Sequence, residues 1–295
     1  MDKVKLLSRA KVNFTLDVSR LRPDGYHNID SIAQVIDISD EIEVSKADAG
    51  IIEVLVEGGD APSGKENLVY RACEVFLSET GTRGGARFLL RKRIPMQAGL
   101  GGGSGNAAAA IAGLNRLYEC GLASDEMAAL ASKVGSDAAL FIYGGTVRMS
   151  GRGEELKLLP DAPKMYLVVV KPGVGVSTAW AYSELDKHKR VQGNSSALVE
   201  VAIRSGDRAA LVGGLANDFD SVVAGLLPEI REAKRRLAEV GAETVLLAGS
   251  GSALFGVFGS MQAAQAGARS LASEFAQVFA CRTLTRAESA MVEMN

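Results

Sequence analysis

No part of the chain carries an unbroken apolar run of the roughly 18 residues that a membrane-crossing helix requires, and its opening, Met1-Asp2-Lys3-Val4-Lys5, has no apolar signal core. A cytoplasmic protein with no membrane partner is the expectation. Excess charge is also lacking. With 33 basic against 35 acidic residues the net charge is -2, so no broad field gathers nucleic acid, and an anionic partner must be held by a local site. Cysteine is scarce: Cys73, Cys120 and Cys281 are odd in number and far apart, which fits unpaired structural thiols rather than a disulfide framework or a metal centre. Histidine is scarcer still, with only His27 and His188. No internal repeat or low-complexity tract is visible.

What is present is a chain of 295 residues, 47% hydrophobic, enough for two domains with full cores. Lys11–Val18 alternates polar and apolar with the period of a strand, which places Lys11, Asn13 and Thr15 on one face and Val12, Phe14 and Leu16 on the other. Asp24-Gly25-Tyr26-His27 after Pro23 reads as a turn, and Gln34–Val44, Ile51–Glu57 and Ala86–Arg91 read as further strands. A helix is expected at Leu68–Ser78. After Pro95 the loop Met96-Gln97-Ala98-Gly99-Leu100-Gly101-Gly102-Gly103-Ser104-Gly105 leads into an alanine-rich helix from about Asn106 to Tyr118. Ser124 is a candidate N-cap for the next helix, Gly135 ends it, and Asp137 lies just past that break. The second half alternates strands (Met165–Lys171, Thr244–Ala248, Ala253–Phe258, Val278–Thr285) with helices near Pro228–Val240 and Gln262–Phe275. Gly151-Arg152-Gly153-Glu154-Glu155 reads as a polar turn, and Pro160-Asp161-Ala162-Pro163 interrupts regular structure, so the boundary is expected near Pro160, between units 1–160 and 161–295.

Successive glycines let backbone N–H groups approach a ligand, and a helix start adds unpaired donors with a partial positive charge. Pro95–Asn106 therefore reads as an anion cradle. It does not follow the better-known phosphate-loop patterns, since Gly105 is followed by Asn106 and Ser104 stands where a dinucleotide fingerprint has its third glycine. The competing reading is a flexible linker, against which stand apolar Leu100 and the strong helix that follows. Ser104 can offer its hydroxyl to a phosphate or to Mg²⁺, or cap the helix. Asp137 can accept a proton or cap a short helix Ala138–Tyr143; Lys11 can neutralise charge or be an ordinary strand lysine. Tyr26, His27 and Tyr182 suggest a nucleobase clamp, aromatic faces for stacking and a histidine for the base edge. Trp180 shares Tyr182's side if that segment is extended.

Pro95–Ser104 resembles the ATP loop of the superfamily of galactokinase, homoserine kinase, mevalonate kinase and phosphomevalonate kinase (the GHMP kinases). Ala10-Lys11-Val12-Asn13 and Ala248-Gly249-Ser250-Gly251-Ser252-Ala253-Leu254-Phe255 resemble that family's N-terminal lysine strand and C-terminal glycine motif, in the expected order. The resemblance implies an α+β fold of two domains, a ribosomal-protein-like α/β unit followed by a ferredoxin-like α/β plait, and ATP with Mg²⁺ as cofactors. It makes Lys11 and Asp137 the acid/base pair, and it assigns Asn13, Thr178, Gly249, Ser250 and Gly251 to the acceptor alongside Tyr26, His27 and Tyr182. Arg22-Pro23-Asp24-Gly25-Tyr26-His27, Gly135-Ser136-Asp137, Gly151-Arg152-Gly153-Glu154, Lys171-Pro172-Gly173 and Asn217-Asp218 are similar to the branch that phosphorylates a cytidyl diphosphate sugar alcohol on its 2-hydroxyl, in non-mevalonate isoprenoid synthesis. The chain departs from that branch at Gly105, where serine is usual and a hydroxyl is therefore expected to fit, at Ala139 in place of proline, and at Asp220 in place of glutamate. A homoserine, mevalonate or sugar kinase, a decarboxylase on the same fold and a non-catalytic nucleotide-binding module stay open as alternatives.

Overall fold

The computed structural model describes residues 2–59, 61–188 and 193–291. The strand expected at Lys11–Val18 belongs to a longer one: β1 (Lys3–Leu21) pairs antiparallel with β2 (His27–Ala47) along most of its length, with register shifts after Arg9 and Asn13. β3 (Ile52–Glu57) and β4 (Gly85–Arg91) extend the sheet beyond one end of β2, and the hairpin of β5 (Thr146–Ser150) and β6 (Glu155–Leu158) joins its other end. β7 (Tyr166–Lys171) starts a second sheet, but the two-residue β8 (Ala216–Asn217) returns to lie parallel to β1. With β9 (Thr244–Leu247), β10 (Leu254–Phe258) and β11 (Gln277–Arg282), seven strands of the described residues form the first sheet and four the second, in the order β11-β7-β10-β9.

Helices α1 (Leu68–Thr80), α2 (Gly102–Leu117), α3 (Ser124–Val134) and α4 (Ala138–Tyr143) cover one face of the first sheet, around a core that includes Leu6, Val44, Phe76 and Ile111. The other part of that sheet packs on the second: Phe14 and Ile36 share a core with Leu167, Val169 and Phe255. The second sheet's far face is covered by α5 (Thr178–Asp186), α8 (Asp218–Leu226), α9 (Pro228–Glu239) and α10 (Met261–Leu271), while α6 (Ser195–Ser205) flanks β1, α7 (Arg208–Gly214) packs on α6, and α11 (Arg286–Ser289) closes on β2. Because β1 is covered from both sides, Ala10–Val18 is buried throughout. Its polar row therefore meets a cleft between elements rather than open solvent.

Several expectations need correction. α2 starts at Gly102, not at Asn106, and Ser104 lies inside its first turn instead of capping it; the N-cap is Gly101, in the left-handed region at φ 71°. The helix pays little for its glycines because they let it sit close to the sheet: a Cβ on Gly105 would lie 2.6 Å from the Arg9 carbonyl oxygen and 2.9 Å from Ser8 Oγ. The hydroxyl expected to fit at position 105 therefore has no room. α3 is capped not by Ser124 but by Ala123, whose N–H donates to Glu126 Oε2 at 2.8 Å. Trp180 and Tyr182 sit on a helix, so they do not share a side.

Candidate active site

The glycine loop is strung between the two sheets. Lys11 N–H of β1 donates to Leu100 O at 3.0 Å, and from the turn before β10 Ser252 and Ala253 donate to Gln97 O and Ala98 O at 3.3 and 3.2 Å. Leu100, 1% exposed, is the loop's apolar anchor. Gly99, at φ 74°, approaches the second sheet so closely that a Cβ there would fall 1.8 Å from Ala248 O. The first-turn N–H groups of α2 receive no side-chain cap, which leaves them for an anion.

Two cavities meet at this loop. One, of about 320 Å³, is lined by Pro95–Gly99, Gly101–Ser104, Lys92 and Asn67. The other, of about 630 Å³, holds Lys11, Asn13, Tyr26, His27, Asp137, Thr178, Tyr182, Gly249 and Ser250. Gly99 and Gly101 line both. Leu100 and Gly105 are buried behind the loop and line neither cavity, and Gly251 turns towards Leu247. The other predicted site residues are brought together.

Beneath the smaller cavity lies a buried polar knot that has no sequence signature. Lys92 Nζ pairs with Asp40 Oδ2 and donates to Asn106 Oδ1 at 3.1 Å. Asn106 donates on to Asp40 at 2.8 Å and to Ser8 at 2.9 Å, while Asp40 Oδ1 accepts the N–H groups of Arg93 and Ile94 at 2.7 and 2.8 Å. Every member is satisfied, so the knot fixes the start of the loop rather than weakening the core.

In the larger cleft Lys11 Nζ lies 3.6 Å from Asp137 Oδ2. Its ammonium donates to Asn13 Oδ1 at 2.7 Å, and Asn13 donates to Ser31 Oγ at 2.8 Å. Lys11 is thereby oriented from below. Asp137 occupies the N-cap position of α4 yet makes no capping hydrogen bond; its carboxylate stays available to the cleft, with the side chain 35% exposed. The capping alternative fails on that geometry.

At the cleft's far end, the turn between β1 and β2 holds Tyr26 out at 55% exposure, with the Arg152 guanidinium 4.8 Å above its ring. His27 is buried, its ring stacked on Tyr182 at 4.9 Å between centroids, and Tyr182 meets Phe219 edge-on. His27 Nε2 lies 2.9 Å from Asp186 Oδ1. Tyr182 spends one face on His27, so Tyr26 offers the most open aromatic face. Thr178 Oγ1 and Ser250 Oγ, 3.2 Å apart, close the side formed by the second sheet. Asp186 and Phe219 were not marked by the sequence, and Arg152 stood in a marked turn motif without a role; their place in the cleft depends on tertiary packing.

The C-terminal glycine turn is tied down by Asn217, which caps α8 through Phe219 N–H and donates to both Leu247 O and Gly249 O at 2.8 Å. Asp218 accepts Val18 N–H at 2.7 Å, and Asp220 accepts Leu247 N–H at 2.9 Å. These side chains hold backbone in place; none of the three is in the cleft lining.

Residues 67–145 match the N-terminal domain of the GHMP kinases and residues 199–277 their C-terminal domain. A 4-diphosphocytidyl-2-C-methyl-D-erythritol kinase of Moorella thermoacetica is 40% identical over 287 residues, covering 96% of this chain and 100% of its own length. Its counterpart in Pelotomaculum thermopropionicum is 42% identical over 262 residues, 89% of this chain and 91% of its own. A crystal structure of 4-(cytidine 5'-diphospho)-2C-methyl-D-erythritol kinase superposes with a TM-score of 0.80 at 32% identity, over 95% of this chain and 98% of that one. With the two-domain fold, the glycine loop and this level of identity together, the chain belongs to the 4-diphosphocytidyl-2-C-methyl-D-erythritol kinase family of the GHMP kinases.

Proposed function

We propose that the chain transfers the γ-phosphoryl group of ATP to the 2-hydroxyl of 4-diphosphocytidyl-2-C-methyl-D-erythritol, giving the 2-phosphate and ADP, in the non-mevalonate route to isoprenoid precursors. The observation that carries the reading is the Lys11–Asp137 pair, which stands in the acceptor cleft where that cleft meets the glycine loop at Gly99 and Gly101. Phosphoryl transfer asks little covalent chemistry of a protein; it needs an aligned acceptor, charge neutralisation and a proton acceptor. In this reading Asp137 Oδ2 takes the proton from the acceptor hydroxyl, and the Lys11 ammonium, held by Asn13, stabilises the oxygen as it becomes negative. The first-turn amides of α2 and the loop backbone cradle the phosphates.

Mg²⁺ fits the same place. It is held mainly by phosphate oxygens and water with one or two protein oxygens, and the Ser104 hydroxyl lines the phosphate-side cavity. When bound, the ion neutralises phosphate charge. We take 1–160 as the unit that supplies the loop and the acid/base pair, and 161–295 as the unit that closes the cleft with Thr178, Tyr182, Gly249 and Ser250. Tyr26 and the His27–Tyr182 stack are assigned to the cytidyl end. Incubation with Mg²⁺-ATP and the cytidyl substrate, followed by phosphorus NMR, tests the assignment: a new phosphomonoester resonance is expected. Its absence, together with turnover of homoserine, mevalonate or a sugar, overturns it.

A further inference from the structure

We propose that Asp186 is a positioning residue that holds His27 in its Nε2–H form and thereby makes the cleft select cytosine over uracil. The inference rests on the reading that this end of the cleft receives the cytidyl group. A carboxylate only accepts hydrogen bonds, so the 2.9 Å contact with Asp186 Oδ1 requires the proton to be on Nε2. In the neutral ring Nδ1 then carries a lone pair. Among the described residues His27 Nδ1 has no protein partner, and no fully buried side-chain nitrogen or oxygen is left without one; Nδ1 is therefore not fully enclosed by protein, and His27 is one of the residues that line the cleft.

Two further features point the same way. Tyr182 and Asp186 are four residues apart on α5, so one helical face supplies both the ring that fixes the imidazole plane and the carboxylate that fixes its proton. Asp186 is also the last residue of α5, where the helix dipole disfavours a negative side chain. The His27 contact offsets part of that cost. The lone pair on Nδ1 suits the exocyclic amino group at position 4 of cytosine, a donor, and repels the carbonyl oxygen that uracil carries there. A site built on such a donor–acceptor match rejects the wrong partner strongly, on the order of a hundredfold or more.

The test uses the full chain and two readouts. Nitrogen NMR of histidine-labelled protein, recorded well above the ordinary histidine titration range, reports which ring nitrogen holds the proton; a His188→Gln variant assigns the two histidines. In parallel, kcat/KM is measured for the cytidyl substrate and its uridyl analogue. Wild type should show Nε2 protonated and a cytidyl preference of about a hundredfold. Asp186→Lys presents only donors, so it should move the proton to Nδ1 and collapse the preference towards unity. Its added charge acts on both diphosphates alike and cancels in the ratio, and a lysine suits the end of a helix. Asp186→Glu should restore both readouts. A proton on Nδ1 in the wild type, a proton that stays put in Asp186→Lys, or an unchanged ratio after the proton has moved would each overturn the proposal. If neither nucleotide substrate reacts while the wild-type ring shows the Nε2–H form, the functional reading falls and the hold of Asp186 on the ring stands.

Discussion

Replacing Asp137 by asparagine separates chemistry from stability, because the structure gives the carboxylate almost no structural duty. It makes no cap bond to α4, and its ion partner Lys11 Nζ is 3.6 Å away with the Asp137 side chain 35% exposed. Lys11 is buried, but solvent reaches the carboxylate and screens the 3.6 Å pair, which is worth about 1 kcal/mol, so Asp137→Asn should lower Tm by only a few degrees. Removing a positioned proton acceptor costs roughly a hundredfold to ten-thousandfold in rate, about 3–5 kcal/mol of barrier. The expected variant is folded, binds an ATP analogue as wild type does by calorimetry, and turns over at least about a hundredfold more slowly. Lys11→Met behaves differently on the stability axis. That side chain is 6% exposed and its ammonium is the donor to Asn13 Oδ1, so the change strands a buried acceptor at a cost of about 1–3 kcal/mol. Its kinetic effect and that of Asp137→Asn should be less than additive in the double variant, since the two act as one unit. A kcat for Asp137→Asn within about threefold of wild type would refute the assignment of Asp137 as proton acceptor.

Gly105→Ser, which restores the residue usual in the family, should destabilise by about 1–3 kcal/mol in a thermal melt, because its Cβ would press on Arg9 O and Ser8 Oγ; an unchanged Tm means α2 shifts freely. Tyr26→Ala should raise KM for the cytidyl substrate by roughly tenfold or more and leave KM for ATP alone, as one stacked base is worth about 1–3 kcal/mol. Tyr182→Ala, which frees the His27 ring, should do the same; a selective loss of ATP affinity in either variant counts against the clamp. Burial alone would push the Glu200 carboxyl up, but hydrogen bonds from Lys157, Arg148 and Arg204 outweigh it and hold the group down at about 2, against an ordinary 4.5. A depressed folded-state value contributes stability above about 4.5 that is lost as pH falls towards 2. Glu200→Gln should therefore flatten the acid limb of a denaturant-based pH–stability profile, and an unaltered slope there speaks against the cluster's role.

The residues proposed for catalysis were easier to read than the elements that carry them. Lys11 and Asp137 follow from chemistry and motif, and the structure brings them to one cleft. The start of α2 was misread because glycines score poorly as helix formers in isolation, and only the close approach of Arg9 and Ser8 shows why they are used. Helix α5 went unread since Thr178, Trp180 and Tyr182 favour strands locally, whereas Ser177, accepting Trp180 N–H at 3.3 Å, starts a helix that packs on the second sheet. The Lys92–Asp40–Asn106 knot joins residues up to 66 positions apart, and no local period signals such a contact. The Asn217–Asp218 motif was visible, but its work as a tether for the glycine turn is a matter of where Leu247 and Gly249 lie in space.

The loop glycines that line both cavities bear on how the site can be blocked. Gly99 and Gly101 bring no side chain of their own to the wall they share, so the two cavities adjoin across backbone there. A single molecule that joins a phosphate mimic to a cytidyl group by a short, stiff spacer can then occupy both sides at once. Its second half would bind at an effective concentration set by the spacer, in the millimolar range for short links. The loop is already pinned to both sheets by Leu100, Gln97 and Ala98, so such a ligand would find that wall formed and would not have to order it.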